Sequence, residues 1–303
     1  NVSIQVRDMN RWLINRAIAG QYSTGRVFCA GDAVHRHPPS NGLGSNTCIA
    51  DSYNLCWKLA LVIHGNADKS LLETYNEERQ PVGKRVVDRA FKSLEENGMM
   101  MTALGLRPGQ STLDRAHAFE VLKSATPEGE ARRKAWREAV KSKHYTVSAL
   151  GVELNQTYRS AAVVPDGTTE PAFDRDADLY HHPTTWPGAR LPHCWLEWDA
   201  ERVSIHDVCG KERFTLLTGV GGRAWIVAAE AVTRSTGVDV IVREIGFGLS
   251  IRDPYDDWSR LSGVEDSGCV LVRPDMHVGW RCNRLPNNAT DQLADVFRMI
   301  LGR

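Results

Sequence analysis

No stretch of this 303-residue chain approaches the ~20 consecutive apolar residues that a bilayer-spanning helix needs. Neither sign of charge is in excess: 37 Lys and Arg offset 37 Asp and Glu. The first absence excludes a membrane-spanning helix, and the second removes any general electrostatic case for nucleic acid or an anionic membrane. Cysteines are few and scattered, seven in all, at 29, 48, 56, 194, 209, 269 and 282, and none are spaced CxxC. An odd number without paired spacing argues against a disulfide framework or a zinc site, and predicts apolar thiols in a reducing, cytoplasmic compartment. No signal peptide is visible, no long repeat occurs, and nothing ahead of residue 25 carries G-x-G-x-x-G. With 42% apolar residues the chain can bury a sizeable core in about two domains.

Periodicity orders what remains. Residues 2–6 alternate like a strand, 10–19 suggest a short helix, and 26–30 read as a buried strand ending at Gly31-Asp32. A helix is expected from Ser45 to Ile63. Its apolar stripe is Ile49, Tyr53, Cys56, Ala60 and Ile63; Thr47, Asp51, Asn54 and Lys58 make a narrow polar stripe, so most of the helix should be buried. Ser70 to Glu73 reads as a capping box. Pro81 should interrupt or restart the helix that follows, which should end near Asn97 with Gly98 as its cap. Helices are expected at 112–124 and 127–143, then an ordered, extended connector over 151–200. Beyond it the order is β-β-α-β-α-β-β-α. Strands are expected at 203–208, 213–218, 238–245, 269–273 and 277–282, with helices at 223–235, near 255–261 and at 289–301. The last two strands form a hairpin around Pro274-Asp275.

The stretch with most chemistry is residues 25–46, "GRVFCAGDAVHRHPPSNGLGSN". A strand ending in Gly-Asp sets a carboxylate at the carboxyl edge of a sheet, where α/β folds bind ligands. An ionised Asp32 there accepts hydrogen bonds from the hydroxyls of a polyol. Gly42-Leu43-Gly44 lets backbone approach a ligand closely. The helix after it aims free N–H groups and a positive dipole end at the same place, suited to an anion or a developing negative charge. A polyol joined to an electron-accepting ring that becomes anionic describes a flavin. An ordinary strand-loop-helix connection with a capping Asp fits the same residues.

The residues decide more than the pattern does. "GRVFCAGDAVHRHPPSNGLGSNTCIADSYNLCWKLA" closely resembles the second FAD-binding motif of the single-component FAD-dependent aromatic hydroxylases, most strongly the phenol 2-monooxygenase and 2,4-dichlorophenol 6-monooxygenase branch. The likeness continues through "LLETYNEERQPVGKRVVDRA", "ALGVELNQTYRSAAVVPDGT" and "GCVLVRPDMHVGWR", in order along nearly the whole chain. The resemblance implies an α/β fold: part of a glutathione-reductase-like Rossmann FAD-binding domain, then a thioredoxin-like C-terminal domain without CxxC. Residues 1–22 are then the end of the substrate-binding sheet, 23–150 the C-terminal part of the FAD-binding domain, 151–200 the connector and 201–303 the thioredoxin-like domain. It implies that Gly31 and Asp32 serve the ribityl chain and that Pro38 lies beside the isoalloxazine ring. Gly42, Leu43, Gly44, Ser45 and Asn46 should turn backbone N–H groups toward the flavin N1/O2 edge and the pyrophosphate. In that family NADPH reduces FAD, O2 adds to give a flavin hydroperoxide, and its terminal oxygen passes to a phenolic ring. The family's N-terminal β-α-β unit has no counterpart here. The chain therefore reads as a C-terminal portion, with the groups that activate the phenol outside it and the catalytic residues unassigned. The competing expectations are a non-catalytic interaction or dimerisation module built on the tail, and a related FAD hydroxylase of polyketide aromatics.

"FTLLTGVGGRAW" contains G-x-G-x-x-A at Gly219, Gly221 and Ala224, with Glu244 ending the next strand, and alone would suggest a nicotinamide site. Too little sheet follows for a doubly wound fold. Gly219-Val220-Gly221-Gly222 stands where thioredoxin carries CxxC, so a redox-inactive domain used for packing or a homodimer contact is expected. His35-Arg36-His37 lacks the carboxylate or thiolate neighbours of a metal site, and no metal is expected. His181-His182 should pack within the connector. Lys84, Arg85, Arg89 and Lys92 form a basic helical face, read as solvated.

Overall fold

The structure, a computed structural model, describes residues 3–11 and 13–303. The chain opens in extended form. Residues 3–6 form no strand, Val2 lies outside the described residues, and residues 10, 11 and 13–19 form no helix. The reason is visible in exposure: Ile4, Val6, Met9 and Leu13 are 68–85% exposed, and among the described residues no strand pairs with this segment. Short strands follow: β1 (Ala17–Ile18), β2 (Ser23–Thr24), β3 (Val27–Phe28) and β4 (His35–Arg36). β1 pairs antiparallel with β4, and β2 with β3. The expected buried strand at 26–30 is thus the second arm of a two-residue hairpin, and Val27 faces solvent.

Helix α1 (Gly44–Ile63) forms where expected but turns the other way round. Ile49, Tyr53 and Ile63 are exposed, and so is Cys56, while Thr47, Asp51, Asn54 and Lys58 are buried. Helix α2 (Thr74–Ala103) runs unbroken through Pro81. A proline inside a helix costs about 3 kcal/mol, which the burial of Tyr75, Val82, Val86, Val87 and Ala90 along one face offsets. Gly98 is an interior residue. The helix ends instead on Gly105, at φ +74°, where the Gly105 N–H reaches Thr102 O and the Leu106 N–H reaches Met101 O, a Schellman closure. The capping box at Ser70 is absent as well. Asp68 caps a single 3-10 turn by accepting from the Ser70 N–H, and α2 starts afterwards.

Helices α3 (Thr112–Lys123) and α4 (Pro127–Lys141) pack on each other, and α4 packs on α2, with Thr126 capping α4 ahead of its proline. Two short helices, α5 (His144–Val147) and α6 (Leu150–Leu154), lead into the connector. The connector hides a strand, β5 (Trp195–Trp198), that the sequence reading passes over. It lies between β6 (Glu201–Ser204) and the later β9 (Ile251–Arg252). The expected strand at 203–208 stops at Ser204, whose side chain caps the short helix α7 (Ile205–Val208) in a capping box with Asp207.

The remaining elements are β7 (Phe214–Thr218), α8 (Ala224–Thr236), β8 (Val240–Glu244), α9 (Asp257–Ser262), β10 (Cys269–Val272), β11 (Val278–Cys282) and α10 (Ala289–Leu301). Their sheet has the order β11-β10-β7-β8, with β7 and β8 parallel and the other pairs antiparallel. That is the thioredoxin-like arrangement. Phe214 and Leu216 face α8 and α10, while Leu217 and Val270 face the β6-β5-β9 sheet. With both faces covered, β7 reads FTLLT and is buried throughout. The far end of α1 joins this core: Trp57 meets Phe214 edge to face at 5.7 Å between ring centres.

Candidate functional site

The site grows from the turn after β3. Gly31 sits at φ +61°, and a Cβ there would lie 2.7 Å from Cys48 Sγ, so no side chain fits. Its N–H donates to Asp51 Oδ2 at 3.0 Å, and its carbonyl accepts from the Val34 N–H at 2.9 Å. The turn leaves the Asp32 side chain exposed. Further along the loop, Asn41 and Gly42 take consecutive left-handed conformations, at φ 69° and 64°, and deliver the chain into α1. No side chain caps that helix, because Leu43 stands at the cap position. Its first N–H groups are therefore free for a ligand.

Turn and helix end line one open cleft of about 770 Å³. Of the residues named from sequence, Gly31, Asp32, Gly42, Gly44 and Ser45 line it, together with His37, Pro39, Cys48, Ile49 and Ser52. Pro38 is buried behind the loop, where its carbonyl meets His37 Nδ1 at 2.8 Å. Leu43 and Asn46 face a neighbouring cavity of about 450 Å³ under the β10–β11 hairpin. Asn46 also ties the loop, its Nδ2 donating to Gly42 O at 2.9 Å.

Behind the cleft lies a buried ionic network. Asp51, Glu78 and Asp275 balance Lys58, Arg79 and Arg273, all at most 4% exposed. Glu78 accepts from Lys58 Nζ at 2.8 Å, from Asn54 Nδ2 at 2.6 Å and from both Arg273 Nη atoms at 2.6 and 2.8 Å. Asp275 closes the ring through Arg273 and Asn54. Burial alone would raise the Glu78 carboxyl, but the Arg273 guanidinium and the Lys58 ammonium hold it well below the usual carboxylate range. Burial pushes Lys58 down to about 8 against the pull of Glu78, and pushes His277 down to about 4. His277 is therefore neutral and donates from Nδ1 to Asp275 O at 3.0 Å. Nothing in composition marks this network. Its signal is the i, i+4, i+7, i+11 spacing of Thr47, Asp51, Asn54 and Lys58, as regular as the apolar stripe beside it.

The other tempting residues have structural partners. His35 Nε2 donates to buried Asp51, and no group of three or more metal-ligating side chains occurs among the described residues. His182 stacks on Phe173 at 4.5 Å. Gly219 and Gly222 are required by close approach: a Cβ would strike Asp266 O at the first and the Thr218 side chain at the second. Of the basic face on α2, Arg89 is buried and bonded to Ser93 and Glu96, and Arg85 pairs with Asp178.

Residues 1–90 match the FAD binding domain family, and residues 184–303 match the aromatic-ring hydroxylase C-terminal family. The whole chain is 48% identical to 51% of the 2,4-dichlorophenol 6-monooxygenase of Cupriavidus pinatubonensis. It is 43% identical, over 98% of its length and 49% of the relative, to the phenol 2-monooxygenase of Pseudomonas sp. (strain EST1001). Among solved structures it matches the flavin-dependent monooxygenase PieE in complex with FAD and substrate, with a TM-score of 0.91 and 50% identity over 96% of this chain and 50% of that one. The chain spans about half the length of the curated relatives it matches.

Proposed function

We propose, for a chain that belongs to the FAD-dependent aromatic-ring hydroxylases, that it supplies the flavin-cradling side of a monooxygenase acting on phenol-like rings. The observation that carries this is the shared cleft: an exposed carboxylate, Asp32, and an uncapped helix end at Gly44 and Ser45 line the same open space. That donor set fits FAD. Asp32 would accept from the ribityl hydroxyls. Gly31, Gly42, Gly44 and Ser45 would let backbone approach, with Pro38, Leu43 and Asn46 shaping the loop from behind. The end of α1 would favour negative charge gathering on the pyrimidine edge of the ring. Bound FAD, reduced by NADPH, supplies the electrons that activate O2 for transfer to the phenol. The chain's own residues bind, orient and exclude water.

We divide the chain as residues 1–22, 23–150, 151–200 and 201–303, with Trp57, Ala67 and Leu71 of the second segment and Ala162 and Val164 of the third packed into the core of the last. Phe247, 96% exposed, and Val227 leave apolar surface on the C-terminal domain that suits a homodimer contact. Seven free cysteines suit the cytoplasm, and no described helix is long and apolar enough to cross a membrane.

The test is quenching of flavin fluorescence on titrating FAD with the 303-residue chain, beside Asp32→Ala. Loss of hydrogen bonds to a charged acceptor, each about 1.5–3 kcal/mol, should weaken binding about 10- to 100-fold. Equal quenching by both proteins would remove Asp32 from the reading.

A further inference from the structure

Beyond the Val34 N–H that bonds its carbonyl, the Gly31 turn is held from outside its own stretch of sequence. Its N–H is gripped by Asp51, about two turns into α1 (3.0 Å). The same carboxylate oxygen accepts from His35 Nε2 at 2.8 Å, and the other accepts from Arg79 Nε at 2.8 Å. Arg79, fully buried on α2, spreads its fork away from the cleft: Nη1 donates to Tyr158 Oη at 2.9 Å and to Gln156 Oε1 at 3.0 Å. Tyr158 lies face to face on His277, 3.9 Å between ring centres. Its backbone N–H bonds Gly188 O, whose own N–H bonds Val278 O at the start of β11. The residue beside Arg79, Glu78, is clasped by Arg273 of the same hairpin. An unbroken path of buried contacts thus runs from the flavin turn to the C-terminal domain, through Gly31, Asp51, Arg79, Tyr158 and His277.

We propose that Asp51 is the positioning residue of the Gly31–Asp32 turn, and that the C-terminal domain sets it through Tyr158 and Arg79, so that this domain tunes the flavin site without touching it. Buried groups with directional partners transmit position, because each displacement leaves a donor or acceptor unpaired in a dry interior. The path gives the C-terminal domain a task that needs no CxxC. Its consequence for FAD rests on the function proposed above; its consequence for the turn does not.

Amide hydrogen exchange of the full chain reads the turn directly, in peptides covering 29–36, with 214–218 of β7 as the internal reference. Tyr158→Phe removes one acceptor from Arg79 and keeps the ring on His277. It should speed exchange at the turn about fivefold, the worth of one net hydrogen bond, and leave β7 unchanged. Asp51→Asn should speed it more. Arg79→Lys, which keeps the charge but loses the fork, should behave as Tyr158→Phe does. Leu293→Ala, in the apolar core of α10 and off the path, should lower Tm yet leave the turn at the wild-type rate. If Asp51→Asn does not fold, Tyr158→Phe and Leu293→Ala alone decide the matter. Wild-type exchange at the turn in Tyr158→Phe, or equal acceleration in Leu293→Ala, would overturn the proposal. FAD titration of the same variants separates the two readings. Weakening in Tyr158→Phe by the factor seen at the turn supports both. A wild-type chain that binds no FAD, with the exchange pattern intact, removes the flavin reading and keeps the coupling.

Discussion

Gly31 shows how much one residue can carry. It combines a left-handed conformation, a contact with Cys48 that admits no Cβ and an N–H owed to Asp51. Gly31→Ala should therefore cost at least the ~1–2 kcal/mol of a left-handed alanine, plus the clash. Cys48→Ala in that background should recover part of the loss, because it removes the Sγ that the new methyl meets. Urea midpoints of the two single variants and the double variant measure both effects, and additivity of the two would refute the clash. The Gly-Asp pair and the Gly42–Gly44 turn are readable in sequence because they break local rules for backbone reasons. Asp51 is not, since an Asp within a helix looks like surface until its partner, 28 residues on, is known.

At the scale of elements, α1 is the instructive case. Its length follows from sequence, while its orientation does not, because two stripes of equal regularity compete for the interior. The polar stripe lies inside because α2 and the β10–β11 hairpin bring Glu78, Arg79, Arg273 and Asp275 to meet it. A pattern rule that assigns apolar residues to the core cannot see those partners, which lie up to 221 residues away. The same blindness explains Pro81: local propensity ends the helix there, and tertiary packing carries it through. Removing one ion from such a network should be severe. Glu78→Ala leaves Lys58 buried without a counter-charge and Arg273 with Asp275 alone, and about 3–5 kcal/mol should be lost. Thermal unfolding followed by circular dichroism would show it, and a change under 1 kcal/mol would mean that water enters the network and hydrates the stranded ions.

For the whole molecule the network sets the acid limit. Burial opposes ionisation of Asp51, Glu78 and Asp275, yet their cationic partners hold all three below the usual carboxylate range. A carboxyl depressed in the folded state stabilises above its unfolded value, and that contribution is lost as pH falls through the folded value. Stability should begin to decline below about pH 6.5, where unfolded histidines take up protons while buried His277 stays neutral down to about 4, and fall more steeply below about pH 4–5, where the unfolded carboxyls also titrate. Tm measured from pH 7 to pH 3 gives the curve, and one without that break would place the three carboxyls in ordinary solvent. The α/β class and the thioredoxin-like order of the C-terminal domain are legible in sequence, since β7, β8, β10 and β11 carry their own apolar runs. The two-residue strands before α1 and the strand within the connector are not, being defined by what they pair with.

The interlock of Glu78 with Arg273 also bears on how these proteins exchange parts. A recombinant that took residues up to the connector from one relative and the remainder from another would look seamless at its junction. If the second parent lacked a cation at the Arg273 position, the hybrid would inherit a stranded carboxylate far from the crossover. Parents for a viable chimera are therefore to be matched at positions 78 and 273 before they are matched at the splice.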